Sequence, residues 1–281
     1  VINLLIKGTI RVDPQKIKGN EIDFFNSIWL DFELPLTDFF SDFLFTNFKI
    51  NSAAIVPKKI ALIPLMVYFY ELYKKGFNYT KINDINLTKL KQYFILSQLN
   101  DWNLQSMADN FTRIIKNIAE KSSGVFEFPI DEIIQYIETR KLRNTKLYIN
   151  SFTDYLWFSL KILLPDRLYN FIMTNNNRFN PEIDHIFPKK LPNQSPQYYQ
   201  EVDIIWNMQP IKGIYNNQKS RIHPREFFLS PTGSKYISEY DFLPTIDFTD
   251  KIYDNPIAFI NMRKKIMIQF LLDKYNLSVE E

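Results

Sequence analysis

Five polar side chains between residues 184 and 219 are of the types that hydrolytic chemistry uses: Asp184, His185, Asn207, Asn216 and Lys219. Histidine is the side chain whose ordinary pKa lies near neutrality, so His185 can take a proton from water at working pH. A base of this kind works only when its ring is held in one tautomer, and the side-chain oxygen of Asn207 is a candidate for that role. Asp184 and Asn216 offer a carboxylate and an amide oxygen. Such hard oxygen donors, completed by water, suit Mg2+ or Mn2+ and not a thiophilic ion. Lys219 would supply a fixed positive charge. Taken singly, each residue has a plainer reading. An Asp-His neighbour pair is usually structural, Asn207 is a turn residue, Asn216-Asn217 is a helix cap, and Lys219 is a solvated lysine. The weight lies in their conjunction.

The elements around these residues can bring them together. Ile183 to Phe187 alternates apolar and polar, as a half-buried strand does, and Pro188 ends it. Met208 to Ile211 is a second short extended run, which Pro210 confines to an edge. After Gly213 the pattern becomes helical, and Asn216 and Lys219, three apart, share one face. Neighbouring strand residues point to opposite faces, so Asp184 and His185 require a bend to act at one spot.

Strand, strand and helix, with Asp-His-Ile-Phe-Pro, Asn-Met-Gln-Pro-Ile and Asn-Asn-Gln-Lys-Ser in that order, resemble an HNH (ββα-metal) nuclease motif over residues 182–220. The resemblance implies His185 as general base and Asp184 and Asn216 as ligands of Mg2+ or Mn2+. It implies Asn207 as the residue that orients the histidine, and Lys219 as the basic residue after the second ligand. Phosphodiester hydrolysis needs such a base, such a cation and such fixed geometry. More diffusely, the chain is similar to the C-terminal region of GmrSD-type restriction proteins. That likeness implies action on phage or modified DNA and a nucleotide-hydrolysing N-terminal domain ahead of this region, while the absence of cysteine fits a reducing cytoplasm. A catalytically silent DNA-binding or regulatory module of the same fold is the alternative. RNA is a further possible substrate, because the motif addresses a phosphodiester and not a sugar.

Lys189, Lys190, Arg221 and Arg225 flank the motif and are candidates for phosphate contacts. Lys141, Arg143 and Lys146 form a second basic cluster, whose plain reading is a solvated loop. The stretch from Lys189 to Glu201 reads as a variable polar loop. His223, the other of the chain's 2 histidines, precedes a proline and reads as structural.

The rest of the 281 residues reads as a mainly α protein. A helical domain over 1–178 leads into the ββα-metal motif at 179–228, and a C-terminal loop and helix over 229–281 pack back on the helical part. Hydrophobic residues make up 46% and aromatics 16%, which excludes global disorder, and only 6 glycines disfavour a turn-rich β fold. Cysteine is absent, so disulfides and Cys-ligated zinc are excluded. The net charge of +3 decides little, since a nucleic-acid binder of this size would gather its cations on one face. Phe24, Phe25, Ile28, Leu30, Phe32, Leu34, Leu36, Phe39, Phe40, Phe43 and Phe45 recur at helical spacing on both sides of Pro35, predicting two helices with an aromatic core stripe. The chain begins in an apolar run with Val1, as a fragment lacking a natural N-terminal part would. It has no signal-peptide pattern, and its longest apolar run, residues 60–70, is broken by Pro64 and too short to span a bilayer. Asp254-Asn255-Pro256 predicts a helix start, with Arg263, Lys264 and Lys265 on its solvent or DNA face.

Overall fold

The computed structural model describes residues 31–51, 55–168, 182–190 and 196–279, together with Asp23 and Trp29. It is mainly helical and divides into two compact units, one of residues 1–151 with 275–281 and one of residues 152–274. The expected domain boundary near residue 178 lies outside the described residues, as do Phe24, Phe25, Ile28, Leu30 and the chain start.

The first unit is built of helices α1 (31–48), α2 (Ile63–Lys74), α3 (Asp84–Leu99), α4 (Gln105–Lys121) and α5 (Ile130–Thr139). Pro35, expected to separate two helices, lies inside α1 with its ring buried. Packing of that ring offsets the one backbone hydrogen bond that proline cannot donate. Within α1, Asp38–Phe45 winds as a π-helix. Of the expected stripe, Phe32, Phe39 and Phe43 are buried, while Leu34 and Phe40 are exposed (56% and 41%). Phe43 packs on Phe48, Phe69 and Phe94 at centroid distances of 5.9 to 6.2 Å, an aromatic core with no base-stacking surface among these rings. Pro64 sits in the first turn of α2, and Gly76, at φ 78°, follows its C-terminal end. Asn83 caps α3 by accepting from the Asn86 backbone N–H at 2.9 Å. In the basic cluster at 141–146, Arg143 donates to the carbonyls of Asp101 and Leu142.

The second unit holds α6 (Leu156–Leu163), β1 (Glu182–His185), α7 (Pro196–Val202), β2 (Met208–Ile211), α8 (Gly213–Lys219), α9 (Pro224–Leu229) and α10 (Pro256–Tyr275). The two strands pair antiparallel, with Glu182 opposite Ile211 and His185 opposite Met208. Pro210 is tolerated because both strands are edges. The connection between them contains α7 where a variable loop is expected, and α10 starts at the predicted proline with Asn255 accepting from the Ala258 N–H.

One buried amide ties the first unit together. Asn86 donates to the Tyr68 hydroxyl (2.6 Å) and the Phe126 carbonyl (3.1 Å), and it accepts from the Phe128 N–H (2.7 Å). Asn86→Ala leaves the Phe128 N–H buried without a partner. The expected loss is about 3 kcal/mol of unfolding free energy, read from the urea midpoint. A midpoint within error of the native protein would show that the amide is replaceable.

Candidate active site

Glu182 and Asp184 point from β1 toward α8, and His185 points to the other face, as the pleat requires. The strand is regular through His185, and the chain turns only from Ile186 on, so the expected bend that would bring Asp184 and His185 to one spot is not found. Their partners are accordingly separate sets.

Beneath α8, Lys219 is fully buried and Asp184 is 3% exposed. The ammonium donates to Asp184 Oδ1 at 2.9 Å and to the His185 carbonyl at 2.7 Å, and the Tyr240 hydroxyl donates to Asp184 Oδ2 at 2.9 Å. Burial lowers the Lys219 pKa, and the Asp184 carboxylate opposes that effect. Burial and the same carboxylate push the Tyr240 hydroxyl upward, so it stays a hydrogen-bond donor. Lys219 is therefore neither a solvated lysine nor an exposed phosphate contact.

The expected metal pair fares accordingly. Both oxygens of Asp184 are taken and its charge is balanced, so a divalent ion at this carboxylate would meet the Lys219 ammonium within contact distance. Asn216 donates through Nδ2 to Glu182 Oε2 at 2.8 Å on the exposed end of the same face. Gly213 admits this pairing, because a Cβ there would stand 2.5 Å from Glu182 Oε1. Asp184 and Asn216 are thus engaged with different partners and do not fit a shared divalent ion in this arrangement. Among the described residues no group of three or more His, Asp or Glu side chains is placed to hold one.

On the other face, His185 is about one-fifth exposed, and its Nε2 lies 2.9 Å from Asp203 Oδ1. Lys189 pairs with the second oxygen, Oδ2. Desolvation raises the Asp203 pKa, but the hydrogen bonds and charges of Lys189 and His185 outweigh it and hold the carboxyl below its ordinary value. Asp203 is thus ionised at neutral pH.

Asn207 is fully buried, yet its side chain does not reach the imidazole. It donates to the carbonyls of Phe187 (2.9 Å) and Val202 (2.8 Å) and accepts from the Phe187 N–H (2.9 Å). The expected contact with His185 is replaced by a clamp on the backbone at both ends of the β1–β2 connection. That clamp sets Asp203, next to Val202, against His185, two residues before Phe187. Tyr198 closes the same connection by donating to the Pro188 carbonyl at 3.0 Å.

The flanking cations divide. Arg225 is spent within the fold, donating to the carbonyls of Phe248, Thr249 and Asp250 and pairing with Asp254. Lys189 is engaged by Asp203, while Lys190 and Arg221 are exposed. Arg263, expected on a solvent or DNA face, is fully buried. Its guanidinium donates to the carbonyls of Trp206 (2.7 Å) and Met208 (3.0 Å), on either side of Asn207, and to Gln209 Oε1 and the Asp241 carbonyl. Burial pushes its pKa down to about 10, against the opposing charges of Asp241 and Asp184. His223 lies edge-on to the Phe187 ring at 5.5 Å, and burial lowers its pKa.

Asp203, Tyr240 and Arg263 were not singled out among the motif residues. The signal for Arg263 is its place at helical spacing between Ile260 and Met267, both buried. For Asp203 and Tyr240 no local pattern exists.

Removing one member of the buried pair exposes its cost. Lys219→Met leaves Asp184 charged and uncompensated, and the expected destabilisation is about 3–5 kcal/mol by urea unfolding. Adding Asp184→Asn to that variant removes the stranded charge and should recover most of the loss. Equal stability of the single and double variants would show that the pair is not coupled.

Compared with family models, curated proteins and solved structures, the chain matches none.

Proposed function

We propose that the protein is an HNH-type endonuclease that hydrolyses DNA phosphodiester bonds, with His185 as general base. The observation that carries the reading is the imidazole of His185 at the end of β1, partly exposed and held by an ionised carboxylate at 2.9 Å. A solvent-reachable histidine so held is equipped to take the proton of a water attacking phosphorus. Asp184 and His185 lie on the first strand of the sheet, Asn216 and Lys219 on the helix after it, and Asn207 in the turn just before the second strand. Lys190 and Arg221 remain available for phosphate oxygens. The likeness to GmrSD-type proteins favours phage or modified DNA as substrate and a role in restriction. A requirement for Mg2+ or Mn2+ is carried by the resemblance alone.

One observation favours a second reading, a catalytically silent DNA-binding module of the same fold. The neutralised Asp184 lacks the open carboxylate that a metal-dependent nuclease needs.

Incubation with supercoiled plasmid and Mg2+ or Mn2+, with and without EDTA, separates the two. The nuclease reading expects nicked or linear product that EDTA abolishes. His185→Ala should lower the rate by at least about 100-fold, with DNA retention in a mobility-shift assay unchanged, because the base acts in the transition state and not in docking. DNA retention with no product in either metal would favour the silent module.

A further inference from the structure

We infer that Asp203 selects the tautomer of His185, so that Nδ1 is the nitrogen that accepts the proton from water, and that Lys189 holds the carboxylate in place. The inference deepens the nuclease reading and rests on it for its consequence in catalysis. The tautomer itself can be tested without any cleavage.

The argument begins with donors and acceptors. A carboxylate only accepts and an ammonium only donates. Asp203 Oδ1 faces His185 Nε2 at 2.9 Å, so in the neutral imidazole the proton must reside on Nε2. Nδ1 is then left with the lone pair. Among the described residues, Nδ1 has no hydrogen-bond partner. Lys189 occupies Oδ2 of the same carboxylate, which fixes the direction in which the carboxyl plane points.

The backbone keeps this chain of three in place. The Asp203 N–H donates to the Tyr199 carbonyl at 3.2 Å, at the end of α7. Asn207 ties the neighbouring Val202 carbonyl to Phe187, and Tyr198 ties α7 to Pro188, next to Lys189. Asp203 and Lys189 therefore approach His185 on segments that are each hydrogen-bonded on their inner side. Lys189 acts here as a positioning residue, not as the phosphate contact expected of it.

An isosteric change turns this into an opposite prediction for one atom. In Asp203→Asn the amide has one accepting and one donating end. Lys189 can pair only with the oxygen, so the NH2 group turns toward Nε2. Nε2 must then accept, and the proton moves to Nδ1, which removes the lone pair that would take the proton from water. Replacing Lys189 as well frees the amide to rotate its oxygen back to Nε2.

The chain's 2 histidines make the test direct. Nitrogen NMR of the imidazole rings at about pH 9, where histidine is neutral, distinguishes the protonated from the unprotonated ring nitrogen, and a His223→Gln variant assigns the two rings. The native protein and Lys189→Met should show His185 protonated on Nε2. Asp203→Asn should show it protonated on Nδ1, with plasmid cleavage down at least about 100-fold. Lys189→Met/Asp203→Asn should return the proton to Nε2 and restore cleavage to within about tenfold of Lys189→Met. Circular dichroism and thermal unfolding confirm that each variant is folded. An Asp203→Asn variant that keeps the proton on Nε2 overturns the inference, as does a double variant that stays on Nδ1. Native protein that cuts no DNA defeats the nuclease reading, while the tautomer result still decides the role of Asp203.

Discussion

The second unit is organised around a charge that cannot be left alone. Lys219 has no solvent exposure, and an isolated ammonium in such a place would be worth several kcal/mol less than in water. Its stability there requires Asp184, and Asp184 in turn requires the Tyr240 hydroxyl to satisfy its other oxygen. This fixes more than a pair. The Lys219–His185 carbonyl bond seats α8 on the end of β1, and the Asp184 position commits the odd and even residues of β1 to their faces. With Asp184 turned inward, the pleat carries His185 outward. The exposure of the proposed base is thus a consequence of the burial of its neighbour.

A second buried cation does for β2 what Lys219 does for β1. Arg263 binds carbonyls on both sides of Asn207, and Gln209 and Asp241 extend the same network outward to Arg167. Arg263 faces backbone oxygens and an amide directly, while the Asp241 carboxylate is shared with Arg167 and Gln209. A planar fork with five donors can satisfy several carbonyls that a lysine could not. Asn207 is held at its backbone by this network and spends its side chain on Phe187 and Val202. Its influence on His185 is indirect. It places the carboxylate that touches the ring, and does not touch the ring itself.

How much of this the sequence discloses depends on the range of each interaction. The presence of a strand before Pro188, the second run with Pro210 and the helix after Gly213 were legible, because proline and helical spacing are local signals, but the strand ends at His185 and it is Asp184, not Ile183, that it buries. That the chain is mainly helical was legible for the same reason. The buried roles of Lys219 and Arg263 were not, since a charged side chain reads as solvated until its partner is known, and Asp184 and the Trp206 carbonyl lie 35 and 57 residues away. For Arg263 the adjacent Lys264 and Lys265 suggested an outer face, although its spacing from Ile260 and Met267 marks the inner one. Asp203 lay just past the stretch to Glu201 that reads as a variable loop, and before the second strand. It became visible only once α7 and the Asn207 clamp brought residue 203 back beside residue 185.

The two faces of β1 also set what a divalent ion would have to do. An ion of charge +2 placed about 4 Å from an ammonium, at an effective dielectric of about 20, is repelled by roughly 8 kcal/mol. That repulsion offsets a large part of the ion's attraction to the one carboxylate, which Lys219 already shares. Either Lys219 withdraws as the ion arrives, giving up its bond to the His185 carbonyl and loosening α8 from β1, or the ion stays on the exposed Glu182–Asn216 end of the face. In the first case metal binding and the seating of the helix are linked, and each changes the other by the same free energy. In the second the buried pair is a permanent brace, and the histidine face works from a scaffold that no ion disturbs.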